Sequence, residues 1–260
     1  MAGSLLTIKV TNGQVDLGVF EGSQLLGRWS GSSGSSLMTD EAEQMIEAFL
    51  TLRDIDNPES AILCSVVPSA TMAWEAAARH MTGTRPLVVG PGLKSGIAVR
   101  YKDPGQVGSD RVANAVAARE LYGAPCIAVD FGSATNIVVV DEKGAFVGGA
   151  IAPGLGSSMR ALNMTAAQLP GADVRVPENA IGRTTAEAVQ AGVVLGEAKR
   201  LDGLVEAIWD ELGYDTELVA TGRYAPVVCE ASNYEFTQDG ILTLQGLRLI
   251  FELNEKRRAR

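Results

Sequence analysis

Apolar residues in this chain come in short runs broken by glycine-containing polar turns, and one such pattern occurs twice. Residues 5–20 read LLTIKVTNGQVDLGVF and residues 126–140 read CIAVDFGSATNIVVV. Each is an apolar strand, a tight polar turn and a second apolar strand. Laying Lys9 on Asp130 places Thr11 on Gly132 and Gly13 on Ala134. Two such hairpins, one opening each half, predict a duplicated domain with a phosphate loop from each half facing a shared cleft. In the second copy Gly132 lets backbone N–H groups approach oxygens, Ser133 and Thr135 offer hydroxyls, and Asp130 can hold a cation. A plain hairpin with a polar turn explains that copy alone equally well. The first copy carries Lys9 where the second carries an aspartate.

The pattern around these hairpins predicts further elements. Strands at 5–10, 15–20 and 25–29 form a meander, followed by a flexible polar loop or lid at 30–36, SGSSGSS. Thr39 caps a helix to Arg53 with acids in its first turn. Residues 61–67, nearly all apolar, form a strand buried on both faces. A helix from Pro68 to about Met81 and a short strand at 86–89 complete the first half. A Gly- and Pro-rich linker at 90–104 leads to an Ala-rich helix ending at Tyr122. The second half repeats the plan, with a third strand at 145–151 and a helix from about 156 to 168. A loop with Pro170 and Pro177, a long helix at 185–212 and a strand at 218–221 follow. A polar loop at 232–239 and a closing helix at 242–253 end the chain. Strand meanders alternating with helices, twice over, predict an α/β protein with mixed sheets, divided into residues 1–115 and 116–260.

Composition narrows the class. With 260 residues, 46% hydrophobic and 20% charged, the chain reads as an ordinary globular protein. No window approaches 18 uninterrupted apolar residues, so no membrane span is expected, and MAGS runs into a strand without a secretory leader. Cys64, Cys126 and Cys229 sit apart in apolar contexts, as buried thiols of a reducing cytoplasm. The single histidine, His80, excludes a His-based metal cage. A net charge of −9 argues against a nucleic-acid surface.

Three stretches could carry chemistry. Gly108-Ser109-Asp110-Arg111 opens the Ala-rich helix, where Asp110 is either a helix cap or a base whose neighbour Arg111 forks a substrate carboxylate. Ala220-Thr221-Gly222-Arg223 follows a buried strand and could let a nucleoside approach the backbone. The glycine-rich 148–156 lacks the βαβ context of a dinucleotide fingerprint and reads as strand exit and helix entry.

These stretches, with SVVP at 65–68, GPGLKSG at 90–96, YKDPGQVGSDR at 101–111, VDFGSAT at 129–135, IGRTT at 181–185 and LTLQGLRLIFE at 242–252, run collinearly along essentially the whole chain. In that order they closely resemble the type III pantothenate kinases. The resemblance implies duplicated ribonuclease H-like domains with mixed five-stranded sheets, as in actin, chaperones and sugar kinases. It implies a cytoplasmic homodimer that phosphorylates pantothenate with ATP in coenzyme A biosynthesis, using Mg2+ and a monovalent cation, K+ or NH4+. It gives Asp110 the role of general base. Tyr101, Gly108, Ser109, Arg111 and Thr185 become pantothenate-holding positions, Thr185 reaching in from the dimer partner. Asp130 becomes the monovalent-cation aspartate, with Gly132, Ser133 and Thr135 as the second phosphate loop and Gly222 near the adenosine.

The first phosphate loop departs from the family's D-V-G-N-T, reading Lys9-Val10-Thr11-Asn12-Gly13. Lys9 puts a cation where the family has the Mg2+-organising aspartate, and could contact ATP or pair with Asp130. Arg223 and Val138 also depart on the nucleotide side. Two functions follow: a pantothenate kinase with an altered nucleotide site, or a catalytically impaired paralogue that binds a pantothenate-like ligand or completes a partner kinase's site in a heterodimer.

Overall fold

A computed structural model describes residues 3–32, 34, 37–165 and 173–258 of the chain. It divides into two compact units, Met1–Ala117 with Leu242–Arg260, and Ala118–Ile241.

The first unit opens with β1 (Ser4–Val10), β2 (Val15–Glu21) and β3 (Gln24–Gly31). Then come α1 (Thr39–Arg53), β4 (Ser60–Ser65), α2 (Pro68–Thr82), β5 (Leu87–Val88) and α3 (Ser109–Tyr122), within which the division falls. Its sheet runs β3-β2-β1-β4-β5. Period-two alternation sorts β1 into two faces. Leu6, Ile8 and Val10 pack with Ile46 and Phe49 of α1 and Trp74 of α2. Leu5, Thr7 and Lys9 take the other face. Thr39 is the first helical residue of α1 and not its cap: Met38 caps, and the Glu41 carboxylate accepts the Met38 N–H at 2.8 Å. His80 is exposed on α2 and pairs with Glu43. The loop expected at 30–36 lies partly outside the described residues.

The second unit begins with β6 (Cys126–Phe131), β7 (Ala134–Val140), β8 (Phe146–Gly148), β9 (Ile151–Pro153) and α4 (Leu155–Thr165). The expected end of α4 at 168, and Pro170, lie outside the described residues. The chain continues through α5 (Thr185–Gln190), a π-helical turn (Ala191–Leu195) and α6 (Gly196–Leu212). It closes with β10 (Glu217–Thr221), α7 (Ala225–Ala231) and β11 (Thr237–Gln238). The sheet order is β11-β10-β6-β7-β8, with β9 also pairing β7. Read from β8 and leaving out β9, this repeats the first sheet's third-second-first-fourth-fifth arrangement. One strand was expected at 145–151, but two occupy its place. Gly148 and Gly149, at φ +155° and +152°, break the run, so this sheet has six strands instead of five. The long helix expected at 185–212 is likewise interrupted by the π turn. Ile127, Val129 and Phe131 pack with Val193, Val194, Ala198 and Leu201 as this unit's core.

The closing helix, α8 (Leu242–Arg258), belongs to the first unit, so the second does not extend from 116 to 260 as one piece. It covers the Thr7 face of the sheet. A Cβ built on Gly18 of β2 would lie 3.0 Å from Leu244 Cδ1, and Arg248 stacks 5.8 Å over the Phe20 ring. Thr243 donates to Asn114 of α3 at 2.7 Å. The backbones of α8 and α3 touch at Gly246, where an added Cβ would stand 2.0 Å from Ala113 O. Gly246→Ala is therefore expected to cost about 3 kcal/mol, because backbone and not a flexible side chain must move. Thermal melting checks it, as a fall of roughly 6–10 °C.

Candidate active site

Each unit presents its own set of functional candidates. In the first unit they gather where the linker enters α3. Asp110 sits in the first turn, where the helix's exposed N–H groups favour a carboxylate, and is 6% exposed. Its Oδ1 accepts the Arg111 N–H at 2.8 Å. A Cβ on Gly108 would lie 2.6 Å from that same oxygen, so glycine there leaves the carboxylate its place. Ser109 donates to Ser65 O at 3.2 Å and ties the helix start to the end of β4. The buried Arg111 guanidinium lies 5.6 Å over the half-buried Tyr101 ring, a cation–π pair that fixes both. Tyr101, Gly108, Ser109, Asp110 and Arg111 are thus brought together: an acid in position to accept a proton, beside a guanidinium able to grip a carboxylate. Thr185 belongs to the second unit, as the exposed first residue of α5 after the Thr184–Glu187 capping box.

Lys9 is only 7% exposed and stands in register with Asp16 on β2 and Cys64 on β4, so all three share a sheet face. Asp16, absent from the sequence reading, is held by Gln14 at 2.7 Å and Ser30 at 2.6 Å. The Thr11 N–H and hydroxyl both donate to Gln14 O at 2.9 Å, and Asn12 is exposed at the tip of the turn.

In the second unit Asp130, 3% exposed, stands in register with Asn136 and Thr221. Gly222, at φ +93°, lies against it. A Cβ there would come within 2.6 Å of Asp130 Oδ1 and 2.7 Å of both Phe131 N and O. Gly132 closes the turn with its N–H on Ala134 O at 3.1 Å, and Ser133 follows. Asp130, Gly132, Ser133 and Gly222 are therefore brought together. Thr135 is not: it pairs with Phe131, the neighbour of Asp130, and so points to the opposite face. There its hydroxyl donates to Glu197 at 2.5 Å.

These donor sets bear on the expected ions. A buried lysine presents donors and a positive charge, so a magnesium ion does not fit at residue 9, and no step is derived through it. Asp130 supplies the oxygen chemistry that a monovalent cation takes, and together with the turn could hold one. Burial pushes the Cys126 and Cys229 thiols up to about 12 and about 11, which keeps both protonated at neutral pH and poor nucleophiles. No helix among the described residues is long and apolar enough to cross a membrane.

The sequence profile of the type III pantothenate kinases matches residues 5–207. The type III pantothenate kinase of Dehalococcoides mccartyi strain 195 is 40% identical over 258 residues, covering 98% of this chain and all of that protein. Among solved structures, the activator of 2-hydroxyisocaproyl-CoA dehydratase from Clostridium difficile, with bound ADPNP, superposes with a TM-score of 0.61 at 10% identity, covering 99% of this chain and 98% of its own. MreB 5 of Spiroplasma citri, bound to AMPPNP, gives 0.56 at 9% identity, covering 100% and 99%. The fold is the duplicated α/β fold shared by actin-like proteins and sugar kinases.

Proposed function

This chain belongs to the type III pantothenate kinases, and from that premise we propose that it transfers the γ-phosphoryl group of ATP to the 4′-hydroxyl of pantothenate. The observation that carries this reading is the buried Asp110 at the start of α3, beside an Arg111 steadied by Tyr101. In the reaction Asp110 takes the hydroxyl proton as the oxygen attacks phosphorus. The bond from phosphorus to the β-bridging oxygen breaks, and ADP leaves with the electron pair. Arg111 grips the pantothenate carboxylate in a fork that a lysine would not reproduce. Gly108 and Ser109 line the approach, and Tyr101 orients the arginine. Thr185, exposed on the second unit, serves a partner subunit's acceptor site in a homodimer.

The nucleotide side is altered. Lys9 meets the phosphates directly as a point charge, where the family has an aspartate, and Asn12, Gly132, Ser133 and Gly222 supply polar and backbone contacts. When bound near Asp130, K+ or NH4+ offsets phosphate charge.

The buried Lys9 also favours a second reading: a chain that keeps the acceptor site but has lost ATP chemistry, and completes the site of an intact paralogue in a heterodimer. One assay separates the two. Pantothenate-dependent ATP turnover is measured for the pure chain and again after Lys9→Asp. Turnover by the unmodified chain within the usual kinase range of about 1–100 per second supports the first reading and sinks the second. No turnover, with nucleotide binding gained on Lys9→Asp, sinks the first.

A further inference from the structure

The second unit contains a buried acid that the proposed chemistry leaves unused. Glu197, the second residue of α6, is 4% exposed, a position a carboxylate holds only when its oxygens are satisfied. Oε1 accepts the Thr135 hydroxyl at 2.5 Å, and Oε2 pairs with Arg200 one helical turn on. Arg200 also donates to Pro153 O at 2.8 Å, at the end of β9. The chain from Thr135 through Glu197 and Arg200 to Pro153 therefore ties α6 to β7, the strand leaving the turn at 132–134, and to β9, whose Pro153 pairs with Ala134 beside that turn. The turn is held from a second side as well. Ser133 O accepts the Ser157 hydroxyl at 2.6 Å and the Gly154 N–H at 3.2 Å, and a Cβ on Gly154 would come 2.5 Å from Gly132 O.

A hydroxyl has one proton to give. Glu197, held by Arg200 through Oε2, accepts the Thr135 hydroxyl through Oε1, so the Thr135 proton is committed to it. Thr135 is then not available as a donor to phosphate, whatever its spacing from Asp130 suggests. We infer that Glu197 is a positioning residue for the second phosphate loop. Seated on Arg200, it anchors Thr135 from beneath, and phosphate is met by Ser133 and by the turn's N–H groups other than that of Gly132, which Ala134 O already holds.

This inference rests on the reading of that turn as an ATP-phosphate loop, and the experiment keeps the two apart. Amide hydrogen exchange at residues 132–135 is measured on the full chain without nucleotide, alongside melting temperature and ATP affinity by titration calorimetry. Thr135→Val and Glu197→Gln are each expected to speed exchange of those amides about tenfold, the usual worth of one charge-assisted hydrogen bond. ATP binding should weaken by a similar factor. The double variant should lose little more than either single one, because both break one connection. Thr135→Ser, which keeps the hydroxyl, should restore exchange and affinity to within about twofold of the unmodified chain. Unchanged exchange at 132–135 in Thr135→Val overturns the inference. So does a uniform rise across the whole unit with a fall in melting temperature, which would mark a merely structural bond. If the unmodified chain binds no ATP, the kinase reading fails while the exchange measurement still decides the role of Glu197.

Discussion

Asp110→Asn is expected to lower pantothenate-dependent ATP turnover by about a thousandfold, in the middle of the range for losing a general base. The substitution is nearly isosteric. An asparagine oxygen can still accept the Arg111 N–H now held at 2.8 Å, and the room left by Gly108 is unchanged. What disappears is the acceptor for the proton of the attacking hydroxyl and the negative charge at the helix start. On the proposed reading, with Arg111 holding pantothenate, its affinity should stay within about threefold, since asparagine keeps the oxygen that accepts the Arg111 N–H. The loss therefore falls on kcat, and steady-state kinetics with direct pantothenate binding check the split. Equal losses in kcat and affinity would return Asp110 to the role of a helix cap.

Gly222→Val is expected to abolish measurable nucleotide binding. The position carries φ +93°, a backbone region a β-branched residue rarely enters. Its Cβ would also press on Phe131 N and O at 2.7 Å and on the Asp130 carboxylate at 2.6 Å. Phe131 is a fully buried core residue whose carbonyl accepts the Tyr224 N–H at 3.3 Å, so it cannot retreat freely. The turn after β10 must move instead, and a displacement of about 1 Å in a binding element costs on the order of a hundredfold. Overpacking adds a stability loss of about 3 kcal/mol. Calorimetric ATP titration with a urea melt of the same variant separates the two effects. Gly222→Ala, smaller but sharing the strained φ, should fall between it and the unmodified chain.

Much of the fold could be read in the chain because each hairpin advertises a period of two and each turn carries glycine. The grouping of Tyr101 with Gly108 to Arg111 was equally legible, since these residues are close in sequence and the linker has only to fold back on the helix start. What escaped reading depended on packing between segments far apart in sequence. An amphipathic α8 announces that it will be buried but not against which sheet, and Gly18 and Gly246 acquire meaning only once that partner is known. The strand expected at 145–151 split because two adjacent glycines took positive φ. Its hydroxyl beside the turn and the family resemblance both put Thr135 on the phosphate side; register decides its face, and register is set by the turn. Glu197 lies 62 residues from its partner, and no local spacing could have joined them. Asp16 carried a weak signal, as the first acid on the strand paired with the one bearing Lys9.

The return of α8 to the first unit has a consequence for synthesis. The second unit is one uninterrupted stretch, Ala118–Ile241, whereas the first needs both flanks of it. A ribosome adding about 5–20 residues per second delivers the whole of the second unit while the Thr7 face of the first still lacks its cover. The usual order, in which the earlier-made domain matures first, is reversed: the later unit can reach its native form during translation, and the earlier one waits for Leu242–Arg258. Until that helix arrives, the nascent chain exposes Leu5 and Phe20 together with the Lys9 strand, a surface suited to chaperone capture.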